Sequence, residues 1–150
     1  MKLLKKDRLN EVTLRFPSRS ANQGFARSAA AAFLAQLDPT VEQVYDIKTA
    51  VSEAVTNAIV HGYEGTRGMV TMRARIDGAT LAIEITDRGK GIPNVRQAME
   101  PFYTTHPEQE RSGMGFAVMQ TFKDEVDVRS TPGSGTSVCM RKRIRPEAAH

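Results

Sequence analysis

The order of periodic segments predicts an α+β fold, a two-layer sandwich of helices on one face of a mixed, mainly antiparallel sheet. Three observations carry that expectation. Runs of alternating apolar residues mark one strand near the start of the chain and more strands in its second half. Two amphipathic helices with start signals stand between the first strand and the others. An Asp77-Gly78 pair joins two alternating runs, the strongest short-range hairpin signal.

Residues 1–10 are polar and basic without period and read as a flexible tail; residues 11–150 read as a single domain. Val12, Leu14 and Phe16 alternate with Thr13 and Arg15 as a strand that Pro17 ends. Ser20 to Gln23 has a capping-box pattern, and the helix behind it sets Phe25, Ala29, Phe33 and Leu37 in one row at four-residue spacing. Asp38-Pro39 stops it. Thr40 to Gln43 is a second capping box. The helix that follows runs to about His61, with Val44, Ile47, Val51, Ala54, Val55, Ala58 and Ile59 as its apolar stripe and Gly62 as its C-cap. Val70 to Ile76 and Leu81 to Ile85 form the hairpin. Residues 88–114 are a long loop punctuated by Gly and Pro, of the kind that usually carries function. A short helix from Gly115 to about Phe122 leads to two last strands, Glu125 to Ser130 and Thr136 to Arg143, around a Thr131-Pro-Gly-Ser-Gly turn.

The 150 residues suffice for one domain with its own core, and 40% hydrophobic with 25% charged residues excludes disordered and fibrous classes. No apolar run approaches the roughly 20 residues of a membrane span. The charged start lacks the apolar stretch of a secretory signal. A lone Cys139 permits no internal disulfide, suits a reducing cytoplasm, and reads as core packing in a strand. The net charge of +4 sits mainly at the two ends; no aromatic residues interleave with it, so nucleic acid is not an expected partner. The histidines and Cys139 lack metal-ligand spacing.

The residues that carry chemistry lie behind the second helix. Glu53 and Asn57 are four apart and share one side, with His61 continuing the row. A solvated face is the plain alternative, but Asn is a poor mid-helix residue and the row ends close to a glycine-rich loop. Asp87 stands just past a buried strand, followed by Gly89 and Gly91. Gly113, Met114 and Gly115 open a helix, and free N–H groups with the helix dipole make such a start an anion site. Arg111 precedes it and could neutralise transferring charge or grip a partner. Thr136 begins the last strand after Gly133-Ser-Gly135. Neither a P-loop nor a Rossmann fingerprint is present.

At these spacings the set resembles the nucleotide pocket of the GHKL ATPases (the Bergerat fold). The segments Val51-Ser-Glu-Ala-Val-Thr-Asn-Ala-Ile-Val-His-Gly-Tyr63 and Thr104-Thr-His-Pro-Glu-Gln-Glu-Arg-Ser-Gly-Met-Gly-Phe116 are similar to the anti-sigma F factor family of endospore-forming Firmicutes. The resemblance covers about residues 11–143. It implies ATP/ADP and Mg2+ as cofactors, with Asn57 on the metal, Asp87 and Thr136 on adenine, and Gly89, Gly91, Gly113, Met114 and Gly115 around the nucleotide. It implies Glu53 as general base for a serine hydroxyl, Arg111 as a catalytic companion, and residues 93–112 as a lid. The implied partners are the sigma-F factor, an anti-anti-sigma protein phosphorylated on serine, and a second copy of the chain, all in the cytoplasm. Arg27 matches a family position for sigma contact. It is remote in sequence from Glu53, so sigma contact and kinase site are expected to separate. Gln23 stands where relatives tend to carry an acid. The general-stress anti-sigma kinases, and a non-catalytic module whose sigma-binding surface nucleotide shapes, are the alternative readings; Glu53 speaks against the latter, which needs no base.

Overall fold

The structure, a computed structural model, describes residues 9–63, 67–89, 125–131 and 133–144. The elements are β1 (Leu9–Pro17), α1 (Ala21–Leu34), a 3₁₀ turn (Ala35–Leu37), α2 (Val41–Asn57), a π-helical turn (Ala58–Gly62), β2 (Met69–Asp77), β3 (Thr80–Asp87), β4 (Glu125–Thr131) and β5 (Gly135–Arg143). The expected helix from Gly115 to Phe122 lies outside the described residues. β1 begins at Leu9, inside the segment read as tail. No helix among the described residues is long and apolar enough to cross a membrane.

The five strands form one sheet in the order β1-β2-β3-β5-β4. Every neighbouring pair among the described residues is antiparallel, so the expected mixed sheet narrows to an antiparallel one. Alternation decides its faces. Val70, Met72, Ala74 and Ile76 of β2 point inward with Leu81, Ile83 and Ile85 of β3 and Val138 and Met140 of β5, all buried. The helices cover that face. The α2 stripe is as expected: Ile47, Val51, Ala54, Val55 and Ala58 are buried, with Val44 and Ile59 packed at its margin. The hairpin turn falls one residue later than expected. Asp77 pairs with Thr80, leaving Gly78-Ala79 as the two-residue loop. Gly78 has φ 62° and Ala79 is not left-handed, the pattern of a type II′ turn with Gly first.

Three local readings are corrected. On α1 the buried row is Ala26, Ala30 and Leu34, whereas Phe25 is 57% exposed. The two rows are adjacent on the helix, and close packing of α1 places the small side chains inward; Ala29, Phe33 and Leu37 flank the core. Ser20 does not cap α1. It already has helical angles (φ −55°, ψ −34°), and its side chain makes no cap hydrogen bond. The other half of that box, Gln23, donates instead to the Ser52 carbonyl (3.3 Å) and to Thr56 Oγ1, tying α1 to α2. Cys139 is not in the core. It alternates with inward Val138 and Met140 and so lies half-buried on the opposite face, in register with Glu84 and Asp127. Burial pushes its thiol up; Arg141 opposes this, and Glu84, Asp127 and Glu125 add to it.

The second capping box forms in full. Gln43 N–H donates to Thr40 Oγ1 (3.1 Å) and Thr40 N–H to Gln43 Oε1 (2.9 Å). Thr40→Ala should therefore lower stability by about 1 kcal/mol, while Ser20→Ala should stay within about 0.5 kcal/mol of the parent. Urea unfolding of the two variants checks the contrast; equal losses would contradict it.

Candidate functional site

The site is built where the π turn after α2 meets the end of β3 and the start of β5. β3 delivers Asp87 on the same inward face as Ile83 and Ile85. β5 delivers Thr136 directly opposite it. Asp87 is only 6% exposed and Thr136 8%. One carboxylate oxygen, Oδ1, accepts from the Gly89 N–H at 2.9 Å, and the Thr136 N–H also donates to the group. Burial nevertheless dominates and holds the carboxyl above its usual range, with the two N–H donors pulling the other way. The Thr136 hydroxyl shares a hydrogen with Ser130 Oγ at 2.9 Å, and Ser130 Oγ donates to the Gly135 carbonyl at 3.1 Å.

Glycines let the chain close on Asp87. A Cβ at Gly62 would stand 2.8 Å from Asp87 Oδ1, and one at Gly89 would overlap the Gly62 carbonyl. A Cβ at Gly135 would overlap the Asp87 carbonyl, and its φ of 115° already favours glycine. Gly62 is thus required for approach, not as the left-handed C-cap expected from sequence: it has no positive φ and lies in the π turn, which Tyr63 N–H closes on the Ala58 carbonyl at 3.1 Å. π turns inside helices occur frequently at functional sites. His61 lies within the same turn.

Glu53 and Asn57 lie half-buried in the last turns of α2. Asn57 Nδ2 is buried with no protein partner, a state in which the amide has hydrogen-bonding capacity left for a ligand. Glu53 also lines a groove of about 480 Å³ between the helices, together with Arg27, Tyr45, Lys48, Thr49 and Ser52. The structure therefore brings Arg27 and Glu53, remote in sequence, to one groove. From Glu53 to Gly62 the helical segment runs roughly 13 Å. Gly91, Arg111, Gly113, Met114 and Gly115 lie outside the described residues. Reading the sequence missed Ser130 and the packing role of Gly62. It also missed Tyr63, whose phenol joins the Met69 carbonyl to the Arg88 N–H. No spacing rule marks a contact of that kind.

A helix pair on an antiparallel sheet, with a buried acid caged by glycines beyond an Asn-bearing helix, defines a histidine kinase-like ATPase domain. The family model of that description matches residues 16–142. Similar chains include the anti-sigma F factor of Thermoanaerobacter sp. (strain X514), 58% identical over 135 residues, which are 90% of this chain and 94% of the relative. That of Pasteuria penetrans is 54% identical over 138 residues, 91% and 92% of the two chains. That of Clostridium beijerinckii is 53% identical over 136 residues, 90% and 95% of the two chains. A solved structure of the RsbU and RsbW domains of a Mycobacterium tuberculosis protein shares the fold, with a TM-score of 0.66 at 20% identity; it covers 91% of this chain and 33% of that one. The chain belongs to the anti-sigma F factor family of histidine kinase-like ATPase domains.

The raised Asp87 pKa gives a signed prediction. A carboxyl that holds its proton more tightly folded than unfolded is stabilising at low pH, and that stability is lost as pH rises through its folded value. Without ligand, Asp87→Asn should be at least as stable as the parent at pH 7. The advantage of the variant should shrink as pH falls toward the unfolded carboxyl range. Paired urea titrations across pH 4–7 measure it; an advantage that grows on acidification would contradict the assignment.

Proposed function

We propose that the chain is an ATP-dependent protein serine kinase that phosphorylates an anti-anti-sigma protein and also binds and inhibits a sporulation sigma factor, sigma-F, acting as a homodimer in the cytoplasm. The observation that carries this reading is the joint placement of a glycine-caged acid, Asp87, at one end of the α2 segment and of Glu53 on an open groove before it.

The residues fit the implied nucleotide and metal. The glycines let the backbone close around the Asp87 carboxylate, and Asn57 Nδ2 is buried without a protein acceptor. ATP with Mg2+ supplies the phosphoryl group and the charge that neutralises it. Asp87 accepts a hydrogen bond from the adenine amino group, and its position opposite Thr136 supports a joint role in reading the base. Asn57 offers an amide oxygen, a hard ligand suited to Mg2+. Gly91, Gly113, Met114 and Gly115 belong to the phosphate end on this reading, and Arg111 to the lid. Glu53 takes the proton of the incoming serine hydroxyl, a weak nucleophile without a base. Arg27 on α1 and Lys48 on α2 give the Glu53 groove positive charge that suits an acidic partner.

Incubation with ATP, Mg2+ and a candidate anti-anti-sigma protein, followed by mass spectrometry of that protein, tests the reading. Glu53→Gln should keep nucleotide affinity and slow phosphoryl transfer by roughly 10²–10⁴-fold; transfer at the parent rate would remove Glu53 as the base. Arg27→Glu should release sigma inhibition and, because Arg27 shares the Glu53 groove, also raise KM for the protein substrate while ATP affinity holds. Transcription assays, transfer kinetics and calorimetry on one preparation, with light scattering for oligomeric state, check it; a dimeric variant that still inhibits as the parent does would refute the placement.

A further inference from the structure

Tyr63 follows the π turn directly and is 9% exposed. Its hydroxyl donates to the Met69 carbonyl at 2.7 Å and accepts from the Arg88 N–H at 2.8 Å. Its ring lies where any Cβ on Gly68 would overlap it. Gly68 is itself clamped to the end of β1: Ser18 N–H donates to its carbonyl at 2.9 Å, and its N–H donates to Ser18 Oγ at 3.0 Å. The phenol therefore rests on a floor tied into the sheet.

The group it reaches is the peptide that leaves Asp87. The Arg88 N–H and the Asp87 carbonyl belong to one peptide plane. Gly135 packs on the carbonyl side of that plane, and Tyr63 holds the N–H side. One residue on, the Gly89 N–H turns back to Asp87 Oδ1. One backbone neighbour of Tyr63, Gly62, abuts the carboxylate itself. The backbone that presents the Asp87 carboxylate is thus gripped from two sides, while the Gly89 and Thr136 N–H groups hold the carboxylate itself. Phenylalanine would fill the same space; only the hydroxyl makes the grip.

We propose that Tyr63 is a positioning residue for base recognition, acting through the Asp87–Arg88 peptide; this rests on the reading of Asp87 as the adenine acceptor. A group that holds an acceptor in line shows itself in discrimination between bases, whereas a group that only fills the core shows itself in unfolding alone.

The test compares the parent, Tyr63→Phe and Asp87→Asn in the full chain. ATP, ADP and inosine triphosphate are titrated by calorimetry with and without Mg2+, and thermal unfolding is followed alongside. Tyr63→Phe should bind ATP and ADP about 5- to 50-fold more weakly, as expected for one or two hydrogen bonds at a buried site. The loss should be equal with and without Mg2+, and the preference for adenine over hypoxanthine should narrow. A Tyr63→Phe protein with a lowered unfolding midpoint but parental affinity and preference overturns the inference, provided Asp87→Asn loses the preference. Parental preference in both variants removes the adenine reading and this inference together. Should Tyr63→Phe not fold, amide exchange on the parent decides: the Arg88 N–H should be protected without nucleotide, and exchange at the rate of an open loop overturns the proposal.

Discussion

The close approach of the π turn to the end of β3 is the constraint on which the functional end of this domain depends. Backbone meets carboxylate at Gly62 and backbone meets backbone at Gly89 and Gly135, with no room for a side chain at any of the three. The result is a carboxyl withdrawn from water. Two N–H donors offset part of that cost, yet its pKa remains above the usual carboxyl range, so desolvation wins. An apolar residue at position 87 would continue the pattern of Leu81, Ile83 and Ile85 but would leave the Gly89 and Thr136 N–H groups without this acceptor. A fold that keeps an acid there accepts a local loss of stability, which is characteristic of sites selected for binding.

The large regularities were legible because they are periodic. The α2 stripe and the alternation of β2 and β3 each repeat several times, and the Thr40 box has both its partners within one turn. Asp87 was legible for a different reason: a charged residue at the next inward position of an apolar alternation is out of place unless it has a task. The failures come from competition between partners distant in sequence. Gln23 has the right spacing to cap α1 but bonds residues 29 and 33 positions away, and nothing local records that rivalry. Phe25 and Ala26 occupy adjacent rows, and which row turns inward depends on how closely α1 packs. Cys139 was misplaced although the information was present: its parity is opposite to that of Val138 and Met140. The shared groove of Arg27 and Glu53 is purely tertiary, since it exists only because α1 folds back on α2.

Gln23 and Tyr63 hold the two flanks of the same helix segment. Gln23 bonds α2 at Ser52 and Thr56, the residues immediately before Glu53 and Asn57. Tyr63 leaves the segment at its far end and holds the Arg88 amide. Between them, the candidate base and the candidate metal ligand sit on backbone tied at both ends, to α1 on one side and to the sheet on the other. Sites carried on such supported elements keep their geometry better than sites on loops.

That arrangement makes α2 a single axis for several tasks. Its apolar stripe completes the core, its N-terminal half walls the groove, and its last turns carry Glu53 and Asn57. A helix also ends in partial negative charge on its last carbonyls. Here that end lies at Asn57, where it suits a cation. Arg27 lines the groove from α1, and Gln23 of the same helix bonds α2 beside Glu53, so the two helices are tied together at the candidate base. On the proposed reading, protein partner and nucleotide then meet the two ends of one lever. The coupling between them is set by how firmly Gln23 and Tyr63 fix it.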